Sequence, residues 1–119
     1  MNKLSLVFCL LMAVLLTGCF YDKEEELYGG VNVDCNNISA KFGADIAPLI
    51  QTKCAISGCH NAAGAQGGQV FESYNQVKAA AGRIRQRAVV EKTMPKNGSL
   101  TALEIGKLKC WIDAGAPNN

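Results

Sequence analysis

The stretch Cys54-Ala55-Ile56-Ser57-Gly58-Cys59-His60 gathers two of the chain's six cysteines and its only histidine. Two thiols and an imidazole this close together have three chemistries open to them. They ligate a metal ion, they run thiol–disulfide exchange, or they attach a haem. A structural zinc site needs four ligands, usually at paired spacings, and the remaining candidates, Cys35 and Cys110, are far away in sequence. A redox dithiol prefers a two-residue spacer at a helix N-terminus, whereas four residues separate Cys54 from Cys59. A plain Cys54–Cys59 disulfide leaves His60 without a role. Haem attachment employs all three side chains: two thioethers to the vinyl groups, and the adjacent imidazole on the iron.

Working outward, the residues before Cys54 predict a short helix. Ile46, Leu49 and Ile50 form a stripe at helical spacing. Asp45 is expected as its N-cap, with Pro48 in the first turn, where a missing N–H costs nothing. After His60 the glycines Gly64, Gly67 and Gly68 read as an irregular loop. Ser73-Tyr74-Asn75-Gln76 has the form of a capping box, opening a helix through Val77 to Ala81 that is expected to stop at Gly82. A further short helix from Arg83 to about Val90 carries Arg83, Arg85 and Arg87.

Thr93-Met94-Pro95-Lys96-Asn97-Gly98 then breaks the pattern, because Pro95 disfavours helix at Met94 and Asn97-Gly98 is a turn signal. A thioether on a polar, turn-forming loop is a candidate second iron ligand, on the face opposite His60. The last helix opens with the capping box Thr101-Ala102-Leu103-Glu104, stapled by Leu100 and Ile105. Ile105, Leu108, Trp111 and Ile112 make its buried stripe, and Gly115 and Pro117 close it. Nothing alternates at period two, so the expected fold class is all-α, with three to four short helices.

The 119 residues allow one small domain. A net charge of +2 gives no footprint of nucleic-acid binding. Lys3 followed by the uncharged run Leu4 to Leu16 reads as a secretory signal. At ~1.5 Å per residue that run spans about 20 Å, short of the ~30 Å hydrocarbon core. Its end, Leu16-Thr17-Gly18-Cys19, resembles the lipobox of bacterial lipoproteins, which implies lipid on Cys19 and a mature chain starting there. The expected organisation is a signal peptide over 1–18, an acidic tether over 19–37 and a folded domain over 38–119. The tether carries five acids and one lysine, about −4, and the remainder ten bases and five acids, about +5. The acidic run Asp22 to Glu26 also resembles surface-export signals of lipoproteins, beside its plain reading as a solvated spacer.

From about Phe42 to Ala116 the chain resembles a class I cytochrome c domain, in particular the small lipoprotein cytochromes of Bacteroidetes. The likeness rests on Ile46-Ala47-Pro48-Leu49-Ile50, Cys59-His60-Asn61, Met94-Pro95 with Gly98, and Trp111-Ile112-Asp113-Ala114-Gly115-Ala116. It implies a small cytochrome c-like fold around one covalent haem c on Cys54 and Cys59, with axial ligands His60 and Met94. It also implies first and last helices crossing, with Trp111 near Ile46 or Ile50. The four-residue spacer departs from the two residues of most c-type sites, and Gly58 eases the longer loop.

With Cys19 lipidated and Cys54 and Cys59 on haem, Cys35 and Cys110 are left as one expected disulfide in an oxidising compartment. A macrocycle would also give Leu49, Val77, Leu100 and Leu108 an apolar surface to cover in a domain near the lower size limit.

The resemblance implies an electron-transfer protein and no enzyme, since both iron faces are filled. It places the protein outside the cytoplasm, lipid-anchored to the membrane, on the periplasmic face of an outer membrane or at the cell surface. Arg83, Arg85 and Arg87 are candidate propionate partners. Lys92 and Lys96, flanking Met94, suit a redox partner with an acidic surface. Two other functions stand beside this: an anchored interaction or sensory module with haem structural or absent, and a peroxidase-like haem enzyme in which Met94 does not bind.

Overall fold

The computed structural model describes residues 33–119. The signal segment, Cys19 and most of the tether lie outside the described residues. Those described are helical and without strands, an all-α arrangement. No helix among them is long and apolar enough to cross a membrane.

A 3-10 turn, Cys35–Asn37, leads to π-helical turns, Phe42–Ile46, that continue directly into α1, Ala47–Lys53. After the 3-10 turn Gln66–Gly68 come α2, Tyr74–Ala79, and α3, Ala81–Ile84. A second set of π-helical turns, Arg85–Val90, extends α3, and α4, Ala102–Asp113, closes the fold.

Both capping boxes form: Ser73 and Thr101 accept from the backbone N–H of Gln76 and Glu104, whose side chains accept in return from the cap N–H groups. Each box satisfies two donors that a helix start would otherwise leave unpaired. Pro48 sits in the first turn of α1.

Two helix boundaries differ from the sequence expectation. Asp45 is no N-cap: the helical turns start earlier, and its carboxylate reaches back to the N–H of Lys41 and the hydroxyl of Ser39, and across to Lys107 at 2.7 Å. Gly82 does not end a helix. The break falls at Ala80 (φ −93°, ψ 1°), and Gly82 lies within α3, where the lower helix propensity of glycine is tolerated.

The core is built against α4. Trp111, Ile46, Ile50, Leu108 and Val77 are almost wholly removed from solvent, and α4 packs on both sets of π-helical turns. Phe42 lies between Tyr74, edge-on at 4.9 Å, and Trp111 at 5.6 Å. The polar ends of the two larger aromatics find partners, as buried tyrosine and tryptophan require: the Tyr74 hydroxyl donates to the Ala116 carbonyl and the Trp111 indole to that of Pro117. A disulfide joins Cys35 to Cys110, with Cα atoms 5.4 Å apart. It clips the first described residues onto α4, where Val33 and Ile38 cover Gly106.

Candidate functional site

α1 stops where the sequence turns from apolar stripe to Cys54. The Cys54 N–H still donates to Ile50, and the chain then loops back so that the His60 N–H donates to the Cys54 carbonyl at 3.1 Å. Gly58, at φ +77°, makes that return possible. The following loop folds over Cys59: the Gln66 N–H donates to the Cys59 carbonyl, and a Cβ at Gly64 would lie 2.7 Å from backbone atoms of Cys59. Only glycine fits there.

His60 is held on two sides. Its Nδ1 lies 3.1 Å from the Gln69 carbonyl. A carbonyl only accepts, so Nδ1 carries a hydrogen, and in the neutral ring Nε2 keeps its lone pair for a further partner. Phe71, buried, stacks on the imidazole at 4.5 Å and 29°, and its N–H donates to the His60 carbonyl. This pairing of a ring N–H with a carbonyl is how proteins orient metal-binding histidines.

Cys54, Cys59, His60 and Met94 all line one cleft of about 980 Å³. Its apolar wall includes Ile56, Phe71, Ile84 and Ala88. The residues expected to cover a macrocycle are elsewhere. Leu49, Val77 and Leu108 belong to the core and Leu100 packs against it, and none of the four lines the cleft.

Among the described residues the cationic ones lining the cleft are Lys53, Arg83, Arg87 and Lys96, and no carboxylate lines it. Arg83 and Arg87, four apart, share a helix face. Arg85, between them, turns away and pairs with Asp113 of α4, so it is not at the cleft. Lys92 is exposed but lies outside the lining.

The two thiols are free of disulfide. Burial first, then the nearby Cys59, pushes the Cys54 thiol up to about 11. It therefore stays protonated at neutral pH, the opposite of the activation that thiol exchange requires. Among the described residues no group of three or more His, Cys, Asp or Glu side chains converges tightly enough to hold a metal ion directly. Thiols, imidazole and thioether instead border a shared apolar space.

Sequence reasoning missed Gln69, Phe71 and Gly64. Gln69 acts through its main chain, which any residue possesses. Phe71 lies in a short segment without periodicity, and Gly64 looked like one loop glycine among several. Compared with known protein families, with curated proteins and with solved structures, the chain matches none.

Proposed function

We propose that this chain is a monohaem c-type cytochrome, an electron carrier with a small cytochrome c-like fold. Cys54 and Cys59 would hold one haem c covalently, and His60 and Met94 would be its axial ligands. The observation that carries the reading is the convergence of these four residues, from two distant parts of the chain, on one cleft. The cleft suits such a group in three ways. Its size is that of a cofactor site. Its imidazole and thioether are established haem ligands. Its cationic residue Arg83 matches a carboxylate of the haem propionates, and Arg87 beside it already pairs with Glu91 at 3.1 Å.

When bound, the haem supplies a one-electron iron couple. The protein's part is to bind and tune it. Gln69 and Phe71 fix the His60 ring so that Nε2 is the atom that would hold the iron. As a ligand the Met94 thioether would favour the reduced state more than a second histidine, raising the potential. If His60 and Met94 both held the iron, no position would be left for a substrate, and the role would be electron transfer. Lipid on Cys19 would keep the carrier at a membrane surface outside the cytoplasm.

Lys53, Arg83 and Lys96 around the cleft favour a redox partner with an acidic surface. Electron exchange with such a partner should slow as ionic strength rises, and a rate indifferent to salt removes the steering role.

The full chain, produced in cells competent for cytochrome c maturation, is tested by a pyridine haemochrome assay and an optical spectrum. Covalent haem, low-spin in the ferric state with a methionine–iron charge-transfer band, is the expected result. A chain that takes up no haem overturns the proposal. High-spin ferric iron without that band replaces the carrier by a haem enzyme.

A further inference from the structure

Each carbonyl of an α-helix accepts from the N–H four residues on. The helix through Ala81–Ile84 leaves that register. In the π-helical turns Arg85–Val90 the closing bond runs from the Glu91 N–H to the Gln86 carbonyl, at 2.9 Å. In α register the same N–H would take the carbonyl of Arg87. The slip releases that carbonyl, and the next loop occupies it. The N–H groups of Thr93 and Met94 donate to it at 2.9 and 3.1 Å, and the Thr93 hydroxyl at 3.3 Å.

The reversal between helix and loop is made at Lys92, whose φ is 54°. That left-handed conformation is uncommon outside glycine, and the Lys92 side chain is exposed. The Glu91 carboxylate braces the same junction, accepting from Gln86 at 2.8 Å, Arg87 at 3.1 Å and the Thr93 hydroxyl at 3.3 Å. A π-helical turn inside an α-helix is rare and tends to occur at functional sites.

We propose that the π-helical turns Arg85–Val90 are a positioning device: by releasing the main-chain carbonyl of Arg87 they hold Met94 at the cleft. The inference rests on the reading of Met94 as distal ligand, and it assigns to Arg87 a task that its side chain does not perform. The Met94 side of the cleft is thereby tied to the cleft wall that carries Ile84 and Ala88. A loop anchored elsewhere would leave the thioether free to swing out.

The test uses the matured full chain and two changes. Deleting Gln86 restores α register and gives the Glu91 N–H the Arg87 carbonyl. Lys92→Pro fixes φ near −65° and forbids the reversal, whereas Lys92→Gly permits it freely. Two readouts are followed: the methionine–iron band, and hydrogen exchange at the Thr93 and Met94 amides.

Wild type and Lys92→Gly should show the band and slow exchange. The deletion and Lys92→Pro should keep covalent haem, lose the band and exchange both amides at least tenfold faster. Retention of the band in a folded variant whose two amides exchange fast overturns the positioning role, as does retention of both features in the deletion. Fast exchange of these amides in wild type overturns it whether or not the variants fold. A wild type with slow amides but no band fails instead on the ligand reading.

Discussion

The α4 side of the molecule and the cleft side are built differently. Against α4 the chain completes itself: Trp111 and Leu108 are fully enclosed, each large aromatic has its hydrogen bond, and a disulfide and an ion pair close the periphery. Around the cleft the chemically capable residues Cys54, Cys59, His60 and Met94 are only half-buried, and Ile56 is exposed at the rim. The concave wall beside them is of the size and apolar character of a small-molecule site. The difference teaches that stability is concentrated on the α4 side, while the cleft side leaves open the space in which the proposed cofactor would sit. Substitutions should divide accordingly.

Trp111→Ala should have the largest effect. It empties the centre of the α4 side and removes the bond to Pro117, so a loss of about 3–5 kcal/mol is expected by denaturant unfolding. A loss near 1 kcal/mol would mean that this side is less complete than its burial indicates. Next, replacing both Cys35 and Cys110 by serine opens a link between residues 75 apart. Roughly 2–4 kcal/mol should be lost, mostly through the unfolded chain. An unchanged unfolding midpoint would show that Val33 and Ile38 dock on α4 without the bond.

A smaller effect comes from acid. Lys107 first, then the Lys41 N–H and the Ser39 hydroxyl, lower the Asp45 carboxyl from 3.8 to about 2. A folded value below the unfolded one means that the contribution is complete above pH 4 and disappears as pH falls towards 2. On the order of 1–2 kcal/mol should be lost over that window, and Asp45→Asn should lose that part of the pH dependence. A variant that keeps the full acid slope would move the effect to another carboxylate.

The two sides were also unequally legible in the sequence. The α4 side rests on short-range signals: the boxes at Ser73 and Thr101 need only a cap and a partner three residues on, and the stripe Ile105, Leu108, Trp111 and Ile112 repeats at helical spacing, with Ile112 half-buried at its edge. The cleft depends on where main-chain atoms go. The shift to π register at Arg85–Val90 leaves no residue-type signature, and the acceptor for His60 is a carbonyl. Gly82 misled because glycine marks helix ends more often than it sits inside helices. Arg85 could be separated from Arg83 and Arg87 only once the helix face was known. The residues with chemistry, Cys54, Cys59, His60 and Met94, were legible as types and were expected around one site; the cleft they line, with its shape and its other walls, was not.

The smallest expected change in stability is the sharpest test of the comparison. Met94 is half-buried on a loop held through its backbone to Arg87, and its side chain borders the cleft instead of filling the core. Met94→Ala should therefore cost the haem-free, disulfide-intact chain less than about 1 kcal/mol, well below the 2–5 kcal/mol of a buried methionine. In the haem-loaded chain the same substitution should abolish the methionine–iron band and lower the reduction potential, because a ligand has gone and not a packing contact. The disparity between the two readouts is what a ligand predicts and a core residue does not. A loss of several kcal/mol in the haem-free chain would place Met94 with Trp111 as core, and the cleft side would then be as self-contained as the α4 side.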